Sequence, residues 1–141
     1  MSNSDNPRLG AVFQERVQQW FQKEYKKGFI LEQKVPIGSP PKDHKFDIVS
    51  ADKTIAIECK RYTWTEGGNV PSAKMGTANE AVFYLSFLPD TYEKYIVMLK
   101  AENKKRGETL ADYYFRTYRH LLGSVKVLEY DPDMDKMRIV E

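Results

Sequence analysis

The sequence predicts an α/β fold, a single domain in which helices flank a mixed central β-sheet. Segments whose apolar residues recur every three or four positions alternate with short apolar runs that are typical of strands. Their order along the chain, α-β-β-β-α-β-α-β-β, predicts helices packed against one sheet. The 141 residues suffice for one core, and a composition of 41% hydrophobic and 30% charged residues favours a folded chain over a disordered one.

The first half of the chain predicts one helix followed by three strands. Residues 9–27 show helical spacing, and Gly28 suits the position just beyond a helix end. Three strand-like segments follow at 29–38, 44–50 and 54–62, with turns between them. Because short turns join neighbouring strands, this half predicts an antiparallel meander.

The second half of the chain predicts two more helices and three more strands. The run YIVMLKA is apolar enough for a strand that is buried on both faces. The segments around it are, in order, the loop TWTEGGNVPS, a helix at 72–88, the polar turn ENKKRGE, a helix near 109–122, and the strands VKVLEY and KMRIV. We therefore expect one domain with a core at about 9–100 and a C-terminal helix and two strands at 107–141.

Composition excludes several classes of protein. The single cysteine, Cys59, excludes an internal disulfide and suits the reducing cytoplasm. No apolar stretch approaches the roughly 20 residues that span a bilayer, and the polar start MSNSDNPR does not resemble a signal peptide. The net charge is only +2, so an anionic partner would have to be bound by a local basic cluster.

The strand IAIECKRY carries an acid and a base where an apolar residue is expected. Because side chains alternate along a strand, Glu58 and Lys60 point to the same face. In the preceding strand Phe46 and Ile48 are expected to share one face, with Asp47 on the other. Pairing of the two strands then brings Asp47 beside Glu58, and two adjacent carboxylates repel each other. A divalent cation would neutralise them, and oxygen ligands suit Mg²⁺.

The spacing of these residues resembles that of the PD-(D/E)XK nuclease superfamily. Asp47 is followed by ten residues and then by Glu58-Cys59-Lys60. The order of elements over about 9–100 resembles the αβββαβ core of restriction-endonuclease-like domains and of the small archaeal Holliday-junction resolvases. The resemblance implies an endonuclease that hydrolyses phosphodiester bonds in DNA with Mg²⁺, for which Mn²⁺ can substitute. It implies that Asp47, Glu58 and the backbone carbonyl of Cys59 hold the metal, and that Lys60 activates water and stabilises charge on the phosphate.

The chain departs from the family pattern in the first helix. Family members often carry a further glutamate there, but the alignment puts Gln14 at that position and turns Glu15 towards solvent. Both remain candidates for completing the site. A second match to the motif, Asp90 with Glu102-Asn103-Lys104, is rejected because those residues lie in turns, where they are expected to be exposed.

Basic residues outside the motif are candidates for binding the DNA backbone. Charge runs are usually solvated surfaces, and that alternative stays open for each of them. His44 is interpreted as an ordinary surface histidine, and Trp64 as a cap on the core rather than a stacking platform. The candidates are Arg61, Lys74, Lys104, Lys105, Arg116 and Arg119.

The last helix carries more aromatic residues than one short helix is expected to bury in a monomer. Part of this stripe is expected to pack against a second subunit, which predicts a homodimer, and ordinary packing in the core is the alternative. These residues are Tyr113, Tyr114, Phe115 and Tyr118. Two other functions compete with the nuclease: a non-catalytic nucleic-acid-binding module and a subunit of a larger assembly. The sequence leaves open whether the DNA substrate is a specific site, a junction or an end.

Overall fold

The computed structural model describes residues 6–141, within which three α-helices and eight β-strands alternate. No helix in this part of the chain is long and apolar enough to cross a membrane. The helices are α1 (Pro7–Tyr25), α2 (Ser72–Ser86) and α3 (Leu110–Tyr118), the last continued by a 3₁₀ turn (Arg119–Leu121). The strands are β1 (Phe29–Ile37), β2 (Lys42–Ser50), β3 (Ile55–Lys60), β4 (Glu93–Leu99), β5 (Glu102–Asn103), β6 (Glu108–Thr109), β7 (Lys126–Asp131) and β8 (Lys136–Val140).

The central sheet is mixed, which confirms the predicted fold class. Its strand order over residues 6–141 is β1-β2-β3-β4-β7-β8. Strands β1, β2 and β3 form the predicted antiparallel meander, whereas β3, β4 and β7 run parallel and β8 returns antiparallel to β7. The crossovers β3–α2–β4 and β4–α3–β7 give the sheet its parallel centre.

The sheet is covered on both faces. Phe13, Val17 and Phe21 of α1 lie in one apolar cluster with Ile55 and Ile57 of β3. Helices α2 and α3 contribute to a second cluster on the other face. Strand β4 supplies alternate residues to the two clusters, so it is buried on both faces as the run YIVMLKA predicts.

Some predicted boundaries are wrong. Helix α1 ends at Tyr25, because Lys26 adopts the left-handed conformation (φ 54°) and donates its backbone N–H to the carbonyl of Gln22. Gly28 is therefore not the capping residue. The segment ENKKRGE is not a bare turn, since its ends pair as the two-residue strands β5 and β6. Helix α3 stops at Tyr118, several residues before the predicted end.

The side chains of β2 do not keep a regular alternation on the two sides of Asp47. Phe46 lies in the cluster on the α2 side and Ile48 in the cluster on the α1 side, so the prediction that they share a face is wrong. Opposite Asp47, residue Glu32 of β1 has a positive φ of 51°, and the pairing between β1 and β2 is interrupted there. Positions 32 and 47 therefore mark an irregular point in the pairing of β1 and β2.

The turn between β2 and β3 is held by a buried serine. Ser50 Oγ accepts the backbone N–H of Thr54 at 3.0 Å and that of Ile55 at 2.9 Å. These bonds fix the start of β3 relative to the end of β2, and so fix the register that brings Asp47 next to Glu58.

Ser50→Ala is expected to lower the free energy of unfolding by roughly 1–3 kcal/mol, because it leaves the N–H groups of Thr54 and Ile55 without their acceptor. Urea denaturation measures this change. Ser124→Ala, at an exposed position, is the control and should stay within about 0.5 kcal/mol of the wild type. Equal effects of the two substitutions would contradict the assigned role of Ser50.

Candidate active site

The site begins where β2 and β3 separate. Their backbone pairing reaches Ile48 and Ile57 and then stops. The next donor on β3, the N–H of Cys59, is accepted by Asp47 Oδ2 at 2.7 Å. The carboxylate of Asp47 therefore takes the place of a backbone carbonyl as the acceptor, and it occupies the space between the two strands.

Glu58 lies beside Asp47 and is buried. Its carboxyl group lies close enough to Asp47 for the charge of that residue to act on its pKa. Burial, followed by the negative charge of Asp47, raises the pKa of Glu58 from 4.5 to about 9, although the positive charge of Lys60 lowers it in part. The sequence-predicted acids are thus adjacent, and at neutral pH Glu58 keeps its proton.

A cleft of about 390 Å³ opens beside these residues on the α1 side of the sheet. Its walls include Gly10 and Gln14 of α1 together with Asp47, Cys59 and Lys60. The motif lysine is partly exposed there. Its charge acts on Glu58, so the structure brings all three predicted catalytic residues together.

The two first-helix candidates have different positions. Gln14 Nε2 donates to the backbone carbonyl of Asp47 at 3.2 Å, so it supports the acidic residue directly. Glu15 is exposed, as predicted, but it also lines the cleft. Both side chains therefore border the site.

His44 belongs to the site, and its interpretation as an ordinary surface residue is wrong. Its Nε2 lies 3.6 Å from Glu58 Oε1, and its ring stacks on Tyr84 with centroids 3.9 Å apart. Burial lowers the pKa of His44 while the pKa of Glu58 is raised, so this is a contact between neutral groups and is too long for a hydrogen bond. The position of His44 three residues before Asp47 was the signal available, but Tyr84 comes from a distant helix that no local pattern connects to it.

The residues present fit a magnesium ion. Mg²⁺ is commonly held by one or two carboxylates and keeps several waters. The Asp47–Glu58 pair supplies two carboxyl groups that repel each other when both are ionised, which a divalent cation would relieve. Among the described residues no group of three His, Cys, Asp or Glu side chains could hold a metal. Burial raises the pKa of the Cys59 thiol, so its backbone carbonyl is the better ligand.

Two of the basic candidates, Arg61 and Lys74, follow β3 along the chain. Arg61 follows the motif lysine and lines a separate cleft of about 490 Å³ with Lys100 and Asp131. Its Nη1 is buried without a hydrogen-bond partner in the described part of the chain. Lys74, at the start of α2, lies over the ring of Tyr62 with its Nζ 5.6 Å from the centroid.

Of the basic candidates in the C-terminal region, Arg116 is paired with an acid. Arg116 makes two hydrogen bonds to Glu108, at 2.8 and 3.1 Å. Arg119 lies 5.4 Å from the ring centroid of Phe115. Lys104 and Lys105 are exposed in the turn between β5 and β6. None of these four basic residues lines the cleft beside Asp47.

The aromatic residues of α3 are covered by this domain's own core. Tyr114 is fully buried, and its hydroxyl donates to Asn79 Oδ1 at 2.8 Å. Tyr113, Phe115 and Tyr118 are half-buried against the same cluster. The cluster on the α2 side covers each ring at least in part, so these rings do not by themselves require a second subunit. The homodimer stays a prediction without this argument.

The expectations for Trp64 and for the rejected motif depended on how exposed these residues are. Trp64 packs against the core and donates its Nε1–H to the carbonyl of Ala101 at 2.9 Å, so it caps the core as predicted. Asp90 and Glu102, the acids of the rejected motif, are both exposed. Their exposure agrees with the decision to reject that set.

Comparisons of the chain with protein-family models, with curated proteins and with solved structures found no match. The interpretation of the site therefore depends on its own geometry.

Glu58→Gln is expected to stabilise the metal-free protein at pH 8 by at least about 2 kcal/mol, because one pKa unit corresponds to about 1.4 kcal/mol. The pKa of Glu58 is higher in the folded chain (about 9) than its ordinary value of 4.5. The unfolded state therefore binds fewer protons between these pH values, and wild-type stability falls as the pH rises through this window. Gln carries no such proton and still donates a hydrogen bond towards Asp47.

Urea denaturation in a chelator at pH 5 and pH 8 measures this effect. The exposed Glu66 provides the matched control, and Glu66→Gln should retain the wild-type difference between the two pH values. A Glu58→Gln protein whose stability changes with pH as much as that of the wild type would contradict the assigned burial of the carboxyl group.

Proposed function

We propose that the protein is a Mg²⁺-dependent DNA endonuclease that hydrolyses phosphodiester bonds by the PD-(D/E)XK mechanism. One observation carries the proposal. Asp47 and the buried Glu58 meet where β2 and β3 separate, beside a cleft that also contains Lys60. A fold does not gain stability from two adjacent carboxyl groups, so their pairing supports a functional role.

The residues of the site have distinct roles in this proposal. Asp47, Glu58 and the backbone carbonyl of Cys59 would hold the ion. When bound, Mg²⁺ would activate a water molecule and stabilise negative charge on the phosphate. Lys60 would set its ammonium group against the phosphate and stabilise the charge that develops there. Gln14 would keep Asp47 in place through its hydrogen bond to the backbone.

The proposal includes DNA as the partner and the cytoplasm as the location. With 22 basic and 20 acidic residues the chain attracts DNA only through local clusters. Lys104, Lys105 and Arg119 are exposed and available for phosphate contacts. The location depends on the single cysteine, which suits a reducing compartment.

One observation favours a non-catalytic nucleic-acid-binding module as the alternative. The third side chain at the acid pair is His44, whose lowered pKa makes it neutral, and not a further carboxylate. A module of this kind would bind DNA equally well with and without Mg²⁺ and would release no cut product.

Asp47→Asn is expected to lower DNA cleavage by about 100-fold or more, since it removes a charged ligand. Asn is preferred to Ala because its side-chain oxygen can still accept the N–H of Cys59, so the fold is preserved. Cleavage is measured by gel electrophoresis on linear, nicked, single-stranded and four-way-junction DNA with Mg²⁺ or Mn²⁺. The acid of the rejected motif provides the control, and Asp90→Asn should cleave at the wild-type rate. Wild-type activity in the Asp47→Asn protein would refute the mechanism.

Mg²⁺ is expected to stabilise the wild-type protein by about 2.7 kcal/mol when its concentration is 100 times its dissociation constant. The Asp47→Asn protein should lose most of this stabilisation, while Asp90→Asn should retain it. Thermal denaturation with increasing MgCl₂ measures the shift. An unchanged melting temperature for the wild type at millimolar Mg²⁺ or Mn²⁺ would exclude the proposed ion site.

A further inference from the structure

A second concave surface lies on the opposite side of the acid pair from the cleft. It is a groove of about 440 Å³ between the β1–β2 turn and the C-terminal half of α2. Its walls include Lys42, His44, Phe83, Tyr84 and Phe87. None of the roles proposed above uses this surface except through His44.

The groove exposes two phenylalanine rings to solvent. Phe83 is 60% exposed and Phe87 is 47% exposed. Their centroids are 5.0 Å apart and the ring planes are nearly perpendicular. Two perpendicular rings present an angled apolar surface at little entropic cost, because each ring has only two side-chain torsions.

Ring contacts lead from these phenylalanines to the acid pair. Phe83 packs against Tyr84 with centroids 6.3 Å apart, and Tyr84 stacks on His44 at 3.9 Å. His44 in turn lies 3.6 Å from Glu58 Oε1. A planar group stacked on Phe83 is therefore separated from the acid pair by three rings, those of Phe83, Tyr84 and His44.

We infer that the groove binds an unpaired nucleobase of the DNA that is cut at the acid pair. This inference depends on the proposed function and specifies its substrate as DNA with a single-stranded segment a short distance from the scissile phosphate. Stacking on aromatic side chains accepts every base, and it requires a base that is not covered by its neighbours in a duplex. Lys42, exposed at the rim, supplies a cation for the backbone phosphate of the same nucleotide.

A second copy of the chain fits this surface less well. A stable protein interface buries about 800 Å² on each partner. A phenylalanine offers roughly 150–250 Å², so the two partly exposed rings together present on the order of 200 Å². Charged residues Lys42 and Asp43 border them and limit the apolar area. The size of the groove matches a nucleotide better than a protein partner.

Binding is tested with the double variant Phe83→Ala/Phe87→Ala made in the Asp47→Asn protein, so that no DNA is cut. Fluorescence anisotropy with labelled oligonucleotides compares single-stranded DNA, blunt duplex, and duplex with an unpaired flap. We expect the double variant to bind single-stranded and flap DNA at least about 5-fold more weakly and to bind blunt duplex as before. Both rings are exposed, so the fold should tolerate their removal, and circular dichroism checks this.

The matched control removes exposed apolar side chains elsewhere. Met134→Ala/Ile139→Ala, at positions 62% and 54% exposed, should leave all three affinities unchanged. Unchanged affinities in the Phe83→Ala/Phe87→Ala protein, or an equal loss on blunt duplex, would overturn the inference. So would a change from dimer to monomer in sedimentation without a change in DNA affinity, because the groove would then be a contact between copies of the chain.

The design separates this inference from the proposed function. A wild-type protein that cuts DNA, together with a double variant of unchanged affinity, overturns the groove alone. A wild-type protein that neither binds nor cuts any of the substrates overturns the proposed function and the groove with it.

Discussion

Repulsion between two carboxyl groups is the constraint on which the site depends. Asp47 and Glu58 lie side by side at the edge of an apolar core, where water does little to screen them. The fold meets this constraint in two ways. Glu58 keeps a proton, and Asp47 accepts the N–H of Cys59 where the strand pairing ends. The bond from Cys59 to Asp47 would not be possible if β2 and β3 continued as a regular ladder, so the separation of the strands helps to hold the acid pair.

The sequence was sufficient to predict the helices, the six strands of the central sheet and the acid pair, but not the strands β5 and β6 or the local geometry. Apolar periodicity gave the helices and strands, and the spacing of Asp47, Glu58 and Lys60 on adjacent strands brought these residues together. The change of face at Asp47 was missed because alternation assumes a regular strand, while the positive φ of Glu32 interrupts the pairing. The inclusion of His44 was missed because its partner Tyr84 is forty residues away in sequence, and long-range stacking leaves no local pattern.

The number of aromatic residues in a helix does not predict how exposed their rings are. Helix α3 carries four rings in a short segment, but the sheet face beneath it has space for them, and Tyr114 lies wholly inside. In α2 the positions of Met75 and Leu85 define the buried side, and Phe83 and Phe87, four residues apart, lie together outside it. The orientation of a helix towards the core thus decides exposure, whereas the number of aromatic residues does not.

The burial that protonates Glu58 also bears on the proposed cation site. In the proposed function, an ion that binds to the pair would displace the proton of Glu58, so its binding would be coupled to proton release. Lys60 favours this release, because its positive charge stabilises the ionised carboxylate, while the neutral ring of His44 adds no charge that would oppose the ion. Replacing either acid by an apolar residue would remove the repulsion and the proposed ion site together. The presence of both acids at the edge of the core is therefore explained better by binding than by folding.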